Sequence, residues 1–191
     1  MILEKPLISL LGHDPDRTHR INASSFQQNA ITTLNGWQYA AFYTESRQNA
    51  KRTCHVNLGR RQVEPVEVVG TWQTFKFEDY EQTVDDGHNT ISIGVCRGDG
   101  TIHVAFDHHC DELETTLDNT GIWLMAFSLR FRVSKFSVGG NATNHQWAAS
   151  IFTKTQNCLP VITSNDLMKE VTYPRFANIE NDLLLTYRIG Q

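Results

Sequence analysis

Three of the eight histidines stand where a predicted β-hairpin brings the ends of its strands together. His88 and Asn89 immediately precede one predicted strand, and His108 and His109 follow the next. Because the turn at 97–100 folds these strands against each other, the start of the first and the end of the second lie at one rim. An imidazole titrates at about pH 6.5 and can act as a general acid or base near neutrality. The pattern predicts acid–base chemistry at this rim.

A later hairpin carries a phenol and a guanidinium at the corresponding positions. Tyr173 lies at its start and Arg188 at its end. Arginine can hold a carboxylate in a planar fork, and a tyrosine beside a cation can take part in proton transfer. Together with His88 and His108, these residues predict a pocket that binds an acidic ligand.

The elements that must position these groups are short β-strands. Strand-like segments bounded by turn residues occur at 37–43, 54–58, 71–77, 90–96, 101–107, 131–136, 147–152 and 183–188. Tight turns are predicted at 34–36, 97–100 and 180–182, and the first two contain Asn-Gly or Asp-Gly, which favour hairpins. The sequence therefore predicts an all-β fold.

The hairpins at 29–43, 89–107 and 173–188 resemble one another, and each reads strand, polar turn, strand. A repeat with several strands per unit is typical of β-propeller blades, although a β-sandwich with fortuitously similar hairpins is the alternative. Three repeat starts amount to about two and a half blades, whereas propellers close with about four to eight. We therefore expect residues 1–191 to form a partial β-propeller domain, the front portion of a longer protein.

One segment interrupts the repeat. The hairpin ends Tyr43 and Asp107 are 64 positions apart, whereas Asp107 and Arg188 are 81 apart, an excess of 17. The stretch 113–130 accounts for the excess, and its apolar part at 121–127 lacks strand alternation. We predict a non-native insertion here, such as a translated intron, with an ordinary long surface loop as the alternative.

Four segments together resemble a known family: WQYAAFY at 37–43, DGHNTISIG at 86–94, GTIHVAFDH at 100–108 and VTYPRFANIENDLLLTYR at 171–188. They are similar to the neuraminidase-repeat-like (BNR) propeller proteins that include ulvan lyases and fungal rhamnose-glucuronate lyases. The resemblance implies a seven-bladed propeller that cleaves acidic polysaccharide by β-elimination. It also implies an extracellular enzyme, although the chain shows no signal peptide.

The resemblance implies a site formed by His88, His108, Tyr173 and Arg188. We predict His108 as the base, with His88 helping to bind or neutralise the uronate and Tyr173 as acid or auxiliary base. Arg188 is predicted to bind substrate, and two further substrate-binding residues are predicted beside the imidazoles, Asn89 and His109. No cofactor is required, and a structural divalent metal ion is left open. The complete protein is expected to be a monomer.

Composition and motifs exclude several other functions. A formal net charge of −4 offers no basic surface for nucleic acid, and no apolar run approaches the roughly 18 residues of a membrane helix. Zinc catalysis through Asp107, Cys110 and neighbouring histidines is disfavoured, because adjacent residues of a strand point to opposite faces. A sialidase-like glycoside hydrolase stays an alternative, although its S-x-D-x-G-x-T-W box is absent. A non-catalytic protein that binds acidic glycans stays an open alternative.

Replacing His108 by Ala is expected to abolish β-elimination, because the predicted base is lost. The check is the absorbance of the unsaturated product. Full activity in the variant would show that His108 is not the base.

Overall fold

The computed structural model describes residues 8–22, 29–46, 53–65, 69–106, 111–117, 123–126, 129–135, 137–139, 143, 146–157, 159 and 171–189. The strands are β1 (Ile31–Leu34), β2 (Trp37–Glu45), β3 (Cys54–Gln62), β4 (Gln73–Lys76), β5 (Ile91–Val95), β6 (Ile102–Phe106), β7 (Asp111–Leu117), β8 (Trp123–Ala126), β9 (Arg130–Val133), β10 (Val171–Ile179) and β11 (Asp182–Ile189). A 3₁₀ turn spans Ala149–Ile151. The prediction of an all-β fold is confirmed.

The strands form small antiparallel sheets that follow chain order. Sheet 1 has the order β1-β2-β3-β4, sheet 2 the order β5-β6-β9, and sheet 3 consists of β10 and β11. Bridges from Phe131 to Gln156 and from Ser134 to Phe152 add an irregular fourth row to sheet 2. Two four-row sheets followed by a hairpin are consistent with part of a propeller. Among the described residues no helix is long and apolar enough to cross a membrane.

Strand alternation divides sheet 2 between two cores. Ile91, Ile93 and Val95 of β5 join a cluster shared with sheet 1, which includes Tyr39, Leu58, Val104, Phe106 and Trp147. The opposite face of β5 carries the small residues Ser92 and Gly94, because successive strand residues point to opposite faces. Sheet 3 packs against this small-residue face.

Phe176 of β10 lies directly on the bare backbone of Gly94. A Cβ added at Gly94 would meet the Phe176 Cβ at 2.6 Å, closer than carbon atoms pack. The Phe176 amide donates to the Ser92 Oγ at 3.3 Å, and the Asn29 side chain donates to the Phe176 carbonyl at 3.0 Å. At the far end the Gly98 amide donates to the Asn181 carbonyl at 2.9 Å. These contacts run in the same order along β5 and β10, so both strands start at one rim.

One strand prediction is wrong, and part of the segment predicted as an insertion forms a separate sheet. The segment 147–152 was expected to be a strand, but the chain forms the 3₁₀ turn there, with Trp147 and Phe152 buried on either side of it. Within 113–130, β8 pairs with β7 in a separate two-stranded sheet, while β9 pairs with β6. The chain thus leaves sheet 2 after β6 and returns to it at β9. That the segment is a non-native insertion stays a prediction.

Replacing Gly94 by Ala is expected to destabilise the protein by about 1–3 kcal/mol, because the added methyl group overpacks the contact with Phe176. Urea unfolding measures the change. Gly87→Ala is the matched control, since its Cβ would meet only His19 at an ordinary 3.6 Å. Equal stability of both variants would show that sheet 3 does not pack closely on β5.

Candidate functional site

His88 lies in a tight loop that leads into β5. The Asp86 Oδ1 accepts hydrogen bonds from the His88 backbone amide at 2.8 Å and from the His88 Nδ1 at 2.5 Å. The Thr90 amide then donates to the His88 carbonyl at 2.8 Å. Because a carboxylate can only accept, Nδ1 carries the proton and a neutral His88 presents its Nε2 lone pair. The loop therefore fixes both the orientation and the tautomer of this imidazole.

Asn89 braces the same loop from inside. It is fully buried, and its side-chain amide donates to the Val84 carbonyl at 3.3 Å. The neighbouring His88 side chain, in contrast, is 38% accessible. A direct contact between Asn89 and a ligand stays a prediction.

Tyr173 occupies a β-bulge near the start of β10. Thr172 pairs with Arg188 and Arg175 with Thr186, so β10 holds one more residue than β11 between these pairs. The φ angle of Tyr173 is +56°, in the left-handed region that a bulky side chain rarely adopts. Such a conformation costs roughly 1–3 kcal/mol, and bulges and backbone strain occur frequently at functional sites. The bulge turns the phenol away from regular strand alternation.

The phenol meets both the imidazole and the guanidinium. The ring centroids of His88 and Tyr173 are 6.2 Å apart with an edge-on geometry. The Arg188 Cζ lies 5.9 Å from the Tyr173 ring centroid, within reach of a cation–π interaction. Three of the predicted site residues are thus brought together by two hairpins from different sheets.

An open pocket of about 290 Å³ lies beside this group. Its lining residues are Tyr173, Arg175, Thr186, Tyr187 and Arg188. Two guanidinium groups and two phenols give the pocket a positive charge and several hydrogen-bond donors. An acidic, hydroxyl-rich ligand has the complementary chemistry.

The second predicted imidazole cannot be placed in the same way. His108 and His109 lie outside the described residues. The strand geometry that predicted their position is nevertheless present, because Ile91 at the start of β5 pairs with Phe106 at the end of β6. The rim at which His88 stands is therefore the rim at which β6 ends.

A second recess, of about 540 Å³, lies on sheet 1, and the sequence did not predict a pocket there. It is lined by Thr44, Glu45, Ser46, His55, Lys76, Glu78 and Glu81. The His55 Nδ1 is 3.2 Å from the Tyr80 carbonyl, and its Nε2 is 3.6 Å from the Glu81 Oε1. Among the described residues no group of three histidine, cysteine or acidic side chains is arranged to hold a metal ion. Cys54 is buried, and burial raises the pKa of its thiol, which disfavours the thiolate that binds metals.

Comparisons with known proteins agree with this architecture. The sequence model of the BNR repeat-containing family matches residues 37–191. No curated protein matches the chain. Among solved structures, polysaccharide lyase Uly1 superposes with a TM-score of 0.70 at 20% identity, over 96% of this chain and 40% of that one. This chain thus spans less than half the length of Uly1, and at this identity the likeness concerns the fold.

Replacing Asp86 by Asn is expected to release the His88 tautomer, because the anionic acceptor for the Nδ1 proton is lost. Imidazole ¹⁵N resonances would then show a large Nε2–H fraction in place of the Nδ1–H form. His103 is an internal control: burial lowers its pKa, and its Nε2 lies 2.8 Å from the Thr101 Oγ1, remote from Asp86 in sequence. An unchanged His88 spectrum would contradict the assigned hydrogen bond.

Proposed function

Because the chain belongs to the BNR repeat-containing family, we propose that it is part of a polysaccharide lyase that cleaves a uronate-containing glycan by β-elimination. The complete enzyme would be a seven-bladed propeller to which this chain contributes about two and a half blades. The observation that carries the proposal is that the Tyr173 ring contacts both His88 and Arg188, and that Tyr173 and Arg188 line one pocket.

Arg188 is suited to bind the uronate carboxylate. Its side chain lines the pocket next to the Tyr173 ring, and Arg175 adds a second positive charge. A bidentate guanidinium neutralises the carboxylate and stabilises the negative charge that develops when the neighbouring C5 proton is removed. Without that neutralisation the C5 proton is too weakly acidic to be taken by a side chain.

The elimination requires one base and one acid. The base removes the C5 proton, the electron pair forms the C4–C5 double bond, and the C4–O4 bond breaks. The acid protonates the departing O4, so the products are an unsaturated uronate and a new hydroxyl end. Such proton transfers each contribute roughly 10²- to 10⁴-fold to the rate.

Two of the proposed groups lie among the described residues. Asp86 orients the His88 imidazole, and Tyr173 places a phenol beside it. We retain His108 as the base, His88 as the group that binds or neutralises the uronate, and Tyr173 as acid or auxiliary base. Asn89 and His109 are retained as proposed substrate contacts at the same rim.

The other properties of the enzyme follow from its substrate class. A polysaccharide is too large to enter a cell intact, so we propose that the enzyme acts outside the cell. We also propose that the complete enzyme is a monomer. The chemistry needs no cofactor, because side chains provide the charge neutralisation and the proton transfers.

Arg188→Ala is expected to lower kcat/KM for elimination by about 10²- to 10³-fold, the usual effect of removing one group that stabilises developing charge. Arg188→Lys is expected to recover only part of the loss, because an ammonium group lacks the planar fork. Arg97→Ala, in the turn at the opposite end of β5, is the control. The assay is the absorbance of unsaturated ends released from a glucuronate-containing polysaccharide.

The products also separate the alternative functions. A hydrolase would release reducing ends without a double bond, and a glycan-binding protein would release no new ends. A carboxyl-reduced polymer is expected to resist cleavage because Arg188 has no carboxylate to bind. Unchanged elimination by Arg188→Ala would contradict the role proposed for this residue.

A further inference from the structure

We infer that residues 17–19 of the N-terminal segment are positioning residues for His88, acting through Asp85. We call residues 17–19 the N-terminal clamp. They contact the loop at 84–89, and this loop carries both His88 and the carboxylate that orients it. The position of the imidazole thus depends on a part of the chain about 70 residues earlier.

Asp85 is bound by three groups of the clamp. Its carboxylate accepts the Thr18 backbone amide at 2.9 Å and the His19 backbone amide at 3.1 Å. The His19 Nδ1 lies 2.9 Å from the Asp85 carbonyl and 3.3 Å from its Oδ1. Both the side chain and the main chain of Asp85 are therefore attached to the clamp.

Arg17 connects the clamp to sheet 1. Its side chain is only 2% accessible, and its Nε lies 3.8 Å from the Asp85 Oδ1. Its Nη1 donates to the Cys54 Sγ at 3.3 Å, at the start of β3. A buried guanidinium requires a nearby anion, since an unpaired buried charge is strongly destabilising. Arg17 and Asp85 thus fix the loop against the rigid sheet.

The Asp85 carboxylate is ionised at neutral pH. Burial alone would raise the pKa of Asp85, but the Thr18 and His19 amides and the Arg17 charge lower it below the ordinary value. A lowered carboxyl pKa adds stability that is fully present above about pH 4 and is lost as the pH falls through the folded-state pKa. The anchor therefore persists throughout the pH range in which an imidazole titrates.

The rest of the N-terminal segment is itself held on both sides of the clamp. Before it, the Ser9 Oγ accepts hydrogen bonds from the Arg61 Nη1 at 2.6 Å and the Trp72 Nε1 at 3.1 Å. After it, the Asn22 side chain accepts from the Tyr43 amide at 2.7 Å and donates to the Tyr43 carbonyl at 2.8 Å. The clamp is therefore a fixed support and can transmit a defined position to the loop.

The Asp85 anchor adjoins the residue that orients the His88 imidazole. Asp86 follows Asp85 directly and accepts both His88 hydrogen bonds. A displacement of Asp85 must therefore move Asp86 and release the imidazole. Misplacement of a reacting group by about 1 Å can cost 10²-fold in rate.

The test replaces Asp85 by Asn, which keeps the size of the side chain but removes its charge and one acceptor oxygen. Asp99→Asn is the matched control, because Asp99 also accepts two hydrogen bonds, from Thr101, and lies at the opposite end of β5. His19→Ala is a milder second variant, since this side chain is 58% exposed and its loss leaves the backbone donors intact. Thermal unfolding shows whether each variant is folded.

The first readout is the imidazole ¹⁵N spectrum of His88. Asp85→Asn is expected to produce a mixture of tautomers, His19→Ala a smaller change in the same direction, and Asp99→Asn none. A wild-type His88 spectrum in folded Asp85→Asn, or in folded His19→Ala should Asp85→Asn not fold, would overturn the inference.

The second readout is the rate of elimination, and this arm alone rests on the proposed function. We expect kcat/KM to fall about 10- to 100-fold in Asp85→Asn, because the imidazole that is proposed to bind or neutralise the uronate is misplaced. An equal loss in Asp99→Asn would overturn the positioning role. If the complete wild-type enzyme shows no elimination while the spectrum changes as expected, the proposed function fails and the clamp stands.

Discussion

The packing of Phe176 on Gly94 is the contact on which the site depends. It joins sheet 3 to sheet 2 at a distance that no side chain larger than glycine allows on the β5 side. The Ser92 hydroxyl and the Asn29 amide bond to the Phe176 backbone at the same point. Because strand side chains alternate, a shift of one residue would place Ser92 and Gly94 on the opposite face and break this contact. The position of Tyr173 relative to His88 follows from it.

The functional groups stand where regular sheet structure ends. His88 is held by a carboxylate two residues earlier, and Tyr173 by a bulge with a strained backbone. Neither arrangement contributes to a hydrophobic core, and the strain at Tyr173 costs free energy that the packed sheets must offset. The molecule therefore separates stability, which lies in the two cores between sheets, from the proposed site, which lies at one rim.

Local patterns in the sequence predicted much of the fold. Asn35 and Gly36 have φ angles of +50° and +74°, as their positions in a two-residue hairpin turn require. The three hairpins, and the start of β5 beside the end of β6, followed from turn chemistry and alternation. The strand prediction for 147–152 was wrong, because a 3₁₀ turn buries Trp147 and Phe152 there without strand pairing along the segment.

Other parts of the site had no local signal. The bulge at Tyr173 depends on how β10 pairs with β11, and the sequence around Pro174 does not specify an extra residue. The bonds from Thr18 and His19 to Asp85 join segments 67 and 66 residues apart, and no pattern within either segment indicates the other. Charge and polarity predicted that the rim is a site; only the tertiary structure shows what holds its members in place.

The most direct test of the central claim is a crystal structure of the protein with a glucuronate-containing oligosaccharide. The account predicts a carboxylate bound by Arg188, with the His88 and Tyr173 rings in contact with each other and facing the same sugar. A uronate bound away from Arg188, or His88 and Tyr173 on separate surfaces, would contradict it.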